Sequence, residues 1–249
     1  MNILITGASS GIGEALALAC AKRGNTLFLC ARNRERLNEV AARCRQSGAA
    51  NVCPRVLDVT DSSALDGWIT QCDSTTPLDQ VFANAGVSTG EETEENARTT
   101  FATNIDGVVN TVLPALRAFR ARHARGTQLI LVSSLAGFGP LKSCPSYSAS
   151  KAFVRIWGLS LREALAPEGI KVSVVAPGFV RSRITDRNTC PMPLFMEADK
   201  AAQIILARAK RNIGLIAFPW PMRFASWLFA ILPQPLNGLI NRRLPTKSG

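Results

Sequence analysis

Short apolar runs alternate along this chain with stretches spaced for helices, and no other feature restricts its fold as strongly. Asn2–Thr6 is the first run, followed by a glycine-rich turn and a helical stretch over residues 12–23. Thr26–Ala31 precedes a charged helix at 34–45, and the run at 52–59 precedes a helix at 62–71. Runs at 78–83, 127–133 and 170–176 continue the series, with long helical stretches at 96–123 and 146–165 between them. A helix between two strands returns the chain to the same end of the sheet, so successive strands lie parallel. Strands buried on both faces read as unbroken apolar runs, as these do. The expected fold is α/β: one Rossmann-type doubly wound parallel sheet of about seven strands, with helices on both faces. A helix at 197–211 and a seventh strand at 213–218 complete it.

At 249 residues the chain is long enough to bury a sizeable core as one domain over 1–249, and no repeat or linker divides it. Its seven cysteines are scattered and form no Cys-x-x-Cys pair, which points to no metal site and to reduced thiols in a cytoplasmic protein. Residues 16–20 (LALAC) have a lipoprotein-like look, but Gly7, Gly11 and Gly13 interrupt the apolar core such a leader needs; the first strand and helix are the better reading. The net charge is +11, from 29 basic and 18 acidic residues. The basic residues are dispersed and fall in no nucleic-acid-binding motif, so no nucleic-acid partner is expected.

The turn after the first strand reads Thr6-Gly7-Ala8-Ser9-Ser10-Gly11-Ile12-Gly13. Three-glycine turns serve many folds; between an N-terminal strand and a helix, this one predicts nucleotide binding. The glycines let the backbone approach a pyrophosphate, whose charge is favoured at a helix N-terminus. Further along, Tyr147 precedes Lys151 by four residues, placing both on one helical face. Reducing a carbonyl by hydride transfer leaves an alkoxide that needs a proton. An unperturbed tyrosine, with a pKa near 10, exchanges protons poorly at neutral pH. A lysine one turn away is expected to favour the tyrosinate and lower that value by about 1–3 units.

The glycine spacing, Gly-x-x-x-Gly-x-Gly, resembles the cofactor loop of the short-chain dehydrogenase/reductase family. The resemblance continues through Asn84-Ala85-Gly86, Asn104, Ser133-Ser134, the Tyr147-to-Lys151 segment and Pro177-Gly178, over about residues 3–182 in the family's order. It implies an oxidoreductase acting between carbonyl and alcohol. Tyr147 would be its general acid/base and Lys151 would hold the nicotinamide ribose. Ser134, 13 residues before Tyr147, would bind the substrate oxygen in preference to Ser133, and Asn104 would anchor a relay water. Gly7, Ser9, Ser10, Gly11, Ile12, Gly13, Asn84, Ala85, Gly86, Pro177, Gly178 and Val180 would line the cofactor. Ser182 would stand where the family usually has a threonine, and Asp58 would meet the adenine.

Cofactor choice falls at the end of the second strand, where an acid accepts from a ribose hydroxyl and a base accommodates a 2′-phosphate. Here Ala31 stands at the acid's place and Arg32 follows, which predicts NADP(H) over NAD(H). Arg34 or Arg36 would help, since Ser10 replaces a basic residue found in some relatives. The alternative to an enzyme is an NADP(H)-sensing regulatory protein, whose signature would be a degraded catalytic set; the set here is complete.

Substrate contacts are expected from 88–95, 135–144 and 179–194, with 181–196 a loop over the substrate. Phe138, Leu141, Phe179, Pro193 and Phe195 are candidates for an apolar pocket. The sole histidine, His123, is read as a surface residue. Residues 213–249 form an atypical apolar extension, in which Pro219, Pro221 and Arg223 interrupt any spanning helix. Trp220, Phe224, Trp227, Leu228 and Ile231 form one apolar helical face there. Packing on the substrate loop or on another subunit is favoured. A peripheral membrane contact, with Arg223, Arg242, Arg243 and Lys247 toward lipid phosphates, is the lesser reading. A homodimer or homotetramer built on the long helices and a small, apolar carbonyl or alcohol substrate complete the expected partners.

Overall fold

The computed structural model describes residues 1–186 and 191–243. Arg187, Cys190 and Lys247 lie outside the described residues. Seven parallel strands stand in the order β3-β2-β1-β4-β5-β6-β7. They are β1 (Asn2–Thr6), β2 (Thr26–Ala31), β3 (Asn51–Val56), β4 (Gln80–Ala83), β5 (Gln128–Val132), β6 (Lys171–Pro177) and β7 (Leu215–Phe218). The sheet grows outward from β1 through β2 and then from β4 through β7. The C-terminal ends of β1 and β4 therefore flank the switch point, where such sheets open a crevice.

Strand residues alternate between two buried layers, as a period of two demands. Ile3, Ile5, Leu29 and Ile130 face one cluster with α1 (Gly11–Ala21), α2 (Arg34–Gln46) and α7 (Ala198–Lys210). Leu4, Phe28, Leu129 and Leu131 face the other, with α3 (Ser62–Thr75), α5 (Gly107–Ala121) and α6 (Pro145–Leu165). β7 belongs to the sheet, so the segment outside it begins at Pro219.

Two helical expectations change. The stretch at 96–123 is helical without a break over 94–121, but a π turn at Ala102–Asp106 divides it into α4 (Glu94–Phe101) and α5. The Gly107 N–H donates to the Ala102 carbonyl, five residues back, and the widened turn carries Asn104. After β7 the chain forms α8 (Trp220–Ile231) and α9 (Gln234–Arg243). Pro219 caps α8 and Pro221 sits in its first turn, where a missing N–H costs nothing.

Candidate active site

A cleft of about 460 Å³ opens at the switch point, and the glycine-rich turn forms its floor. Gly7 and Gly11 have φ of +67° and +55°, the left-handed region that glycine adopts without strain. A Cβ on Gly13 would lie 2.2 Å from the Gly7 carbonyl oxygen, so Gly13 packs beneath the turn and does not line the cleft. The Asn84 side-chain amide donates to the carbonyls of Thr6 and Gly7 at 3.0 and 3.3 Å, and the Thr6 hydroxyl accepts from the Asn84 N–H. Asn84 thus joins the ends of β1 and β4 and holds the turn in shape. The Ser10 side chain makes no capping bond at the start of α1, which leaves the helix's first N–H groups to an anion.

Farther along the same wall lie Ala31, Arg32, Asn33, Arg36, Leu57 and Val59. Arg32 is exposed, and its Nη1 stands 3.6 Å from Asp58 Oδ2. Arg36 Nε is buried with no hydrogen-bond partner among the described residues. An unspent donor beside a second guanidinium is suited to an anionic group. Arg34 does not reach the cleft. Asp58 does not line it either: Oδ1 accepts from Thr60 N and Oγ1 at 3.0 and 2.9 Å, and Leu57 and Val59 form the wall. The donors, glycines and apolar wall fit a dinucleotide.

Ser134, Tyr147 and Lys151 meet at the other end. Pro145 begins α6, and Glu92 accepts from Ser146 N at 3.0 and 3.2 Å and from Ser146 Oγ at 3.1 Å. That carboxylate caps an end at which the N-cap residue, Cys144, makes no side-chain capping bond. Ser133 is buried and donates to the Lys151 carbonyl at 2.6 Å, fixing α6 against β5. Ser134 instead faces the cleft beside Tyr147, where its hydroxyl donates to Pro177 O at 3.5 Å. Lys151 Nζ donates to Val132 O at 3.1 Å and stands 5.7 Å from the centre of the Tyr147 ring.

Asn104 is fully buried behind Gly86 and does not line the cleft. Its side chain accepts from Val87 N at 2.8 Å and donates to Val87 O and Ser150 Oγ at 2.9 and 3.0 Å. A Cβ on Gly86 would lie 3.1 Å from Lys151 Nζ and 3.2 Å from Asn104 Oδ1, so three separated residues converge there. Ala85 abuts Gly7, and Ser9, Ile12, Pro177, Gly178, Val180 and Ser182 line the cleft wall.

The expected lowering of the Tyr147 pKa is not what the protein alone provides. Burial around the hydroxyl pushes it up to about 12, with the Ser134 hydrogen bond working in the opposite direction. Lys151, 3% exposed, is itself lowered to about 8 by burial. Desolvation penalises each charged form, and here it outweighs the proximity that i,i+4 spacing suggested.

Some residues escaped the sequence reading. Gly137 faces Lys151, and a Cβ there would stand 2.5 Å from the Lys151 carbonyl carbon. Thr185 lines the cleft, accepting from Ser182 N at 2.8 Å. No local signal marks either residue. The anticipated apolar residues behave differently. Phe138 packs with Leu135 and Met222 beneath the Arg155 guanidinium, and Phe195 lies under Arg181. Neither forms the cleft wall, which Val87, Ser88 and Ile184 help to close.

A doubly wound sheet with a glycine-rich turn at its switch point and a Tyr–Lys pair beside it defines an NAD(P)-linked oxidoreductase fold. Residues 1–191 match the family model described as short chain dehydrogenase, and the chain belongs to that family. An uncharacterized oxidoreductase of Myxococcus xanthus is 37% identical over 246 residues, spanning 97% of this chain and 96% of the relative. An 11-beta-hydroxysteroid dehydrogenase A of Sesamum indicum is 36% identical over 258 residues, covering 94% and 73%. A short-chain dehydrogenase from Sphingobium yanoikuyae, solved in complex with NADPH, superposes with a TM-score of 0.81 at 26% identity, over 100% and 98% of the two chains.

Proposed function

We propose that the chain is an NADP(H)-dependent oxidoreductase that interconverts a carbonyl and an alcohol on a small apolar substrate. The observation that carries this reading is that Tyr147, Ser134 and Lys151 line one end of a cleft floored by the glycine turn. When bound, the nicotinamide exchanges a hydride with the substrate carbon. The chain's residues manage the oxygen and its proton. Ser134 and Tyr147 both present O–H groups to the carbonyl oxygen, and Tyr147 gives up its proton as negative charge develops there. Lys151 then faces a tyrosinate across the aromatic ring and stabilises it. With its hydroxyl pushed up to about 12, Tyr147 is protonated at neutral pH and ready as the acid for carbonyl reduction. Asn104 acts through its bonds to Val87 and Ser150, positioning the strand end beside Lys151.

NADP(H) is preferred in this reading because Arg32 and Arg36 both line the cleft beside the end of β2, with no carboxylate at Ala31. The NADPH complex of the Sphingobium neighbour and the hydroxysteroid in the sesame relative's name support the cofactor and an apolar substrate. A homo-oligomer through α5 and α6 belongs to the same reading, by analogy with relatives; Leu113 and Ile156 are exposed on those helices. The test is a panel of ketones and alcohols with NADPH, NADH and their oxidised forms, run on wild type and Tyr147→Phe. Turnover confined to wild type and faster with NADP(H) is expected. Cofactor binding without turnover across the panel favours an NADP(H) sensor, and equal turnover by Tyr147→Phe refutes the proton-transfer role.

A further inference from the structure

The hairpin of α8 and α9 is built inside out. On α8, Trp220, Phe224, Trp227, Leu228 and Ile231 follow the i, i+4, i+7, i+8, i+11 spacing of one helical face, and all are exposed, Trp220 at 76%. The inward positions are Met222, which faces Gly178, and Phe229, against Gly139. On α9 the inversion is complete. Asn237 is buried and donates to Phe229 O at 2.9 Å, and Asn241 donates to Pro140 O at 2.7 Å. Leu236, Leu239 and Ile240 point outward instead. Lys142 Nζ donates to Arg242 O at 2.9 Å and helps fix α9 to the loop before Tyr147. Asparagines inside and leucines outside leave both helices with an apolar outward side that no described residue covers. Soluble monomers rarely carry such a contiguous patch without a partner for it.

Charge selects the partner. No Asp or Glu occurs after Asp199, and between residues 213 and 249 the only charged side chains are Arg223, Arg242, Arg243 and Lys247. Arg223 and Arg242 are exposed on the hairpin itself. A second copy seated symmetrically on this face would set these cations against their own equivalents, with no acid from either hairpin. An anionic lipid surface satisfies both halves of the pattern. Aromatic and aliphatic side chains enter the acyl boundary, and arginines meet the phosphates. No helix among the described residues is long and apolar enough to cross a membrane, so the mode is attachment within the interface.

We propose that α8 and α9 dock this protein on anionic lipid membranes, holding the loops around the Ser134–Tyr147 end of the cleft close to the lipid. The proposal is independent of turnover, because binding is measured without substrate. The experiment is flotation of the full chain with phosphatidylglycerol-containing vesicles and with pure phosphatidylcholine vesicles, alongside tryptophan fluorescence. At low salt the protein should float with the anionic vesicles, bind neutral ones at least about tenfold more weakly, and be released by added salt. Its emission should shift to the blue, since Trp220 and Trp227 are exposed whereas Trp68 is buried and Trp157 is stacked on Phe153. Trp227→Glu with Leu239→Glu places two carboxylates on the outward face and should abolish flotation, with thermal unfolding unchanged. Arg223→Glu should weaken it about tenfold. Protein that stays in the aqueous fraction at low salt overturns the proposal. So does flotation that survives Trp227→Glu with Leu239→Glu, which would assign binding to another basic surface. A vesicle-independent dimer that the same pair dissociates, without flotation by wild type, would assign the face to a second copy.

Discussion

The Lys151 ammonium donates to the Val132 carbonyl at 3.1 Å and lies 5.7 Å from the centre of the Tyr147 ring, yet burial governs both titrations. The lysine is anchored to the end of β5 and lies alongside the ring without reaching the hydroxyl of the cofactor-free protein. Two consequences can be measured directly.

Tyr147 is the only tyrosine in the chain, so the ultraviolet absorbance of tyrosinate reports this residue alone. In the cofactor-free protein the ionisation midpoint should lie well above 10, approaching 12. Saturating NADP⁺ brings a positive charge nearby and should lower it by about 1–3 units. A cofactor-free midpoint at 10 or below would show that the hydroxyl is solvated.

Lys151→Met should trade activity for stability. An unfolded lysine keeps its proton up to 10.5, whereas the folded one loses it at about 8. Below pH 8 the folded state therefore bears the full penalty of a buried ammonium, about 3 kcal/mol at about 1.4 kcal/mol per unit. Stability from this group rises between pH 8 and 10.5, where the unfolded state binds more protons. The lost bond to Val132 O takes back about 1 kcal/mol. The variant should be more stable than wild type by about 2 kcal/mol at pH 7, with the advantage gone above pH 10.5 and turnover lost throughout. Denaturant unfolding at a series of pH values tests it; a variant weaker than wild type at pH 7 contradicts it.

Replacing both Arg32 and Arg36 by Ala should weaken NADPH binding by about 10–100-fold, the equivalent of one or two charge-assisted hydrogen bonds. NADH should be little affected if the two guanidinium groups serve the 2′-phosphate, which it lacks. Fluorescence titration with each cofactor measures the ratio, and equal losses for both would remove the specificity role.

Gly137→Ala should push apart the Leu135–Phe138 turn and α6, because its new methyl would stand 2.5 Å from the Lys151 backbone. A cost of about 1–3 kcal/mol in unfolding free energy is expected. A fall in kcat should accompany it, since Ser134 heads the turn and Tyr147 rides on α6. Unchanged stability would mean that the two segments yield without cost.

The sequence by itself determined what depends on short-range geometry. Strand and helix alternation is a matter of period, the Gly7–Gly13 turn needs positive φ at fixed positions, and Tyr147 and Lys151 share a face by helix pitch alone. Family likeness added Ser134, which lies 13 residues from its partner. Only the tertiary structure decided how these pieces meet. Asn104 reaches Gly86 and Lys151 through a π turn that no pattern announces. Asp58 gives its carboxylate to Thr60 and to Arg32, the latter brought beside it from the end of the neighbouring strand β2. The Tyr147 pKa moved opposite to the expectation from spacing, since desolvation is a property of the surrounding packing. Spacing predicted an apolar face on the tail, while the fold left it outward with asparagines beneath. Hydrophobic periodicity gives the width of a stripe, and long-range packing alone decides whether it is covered.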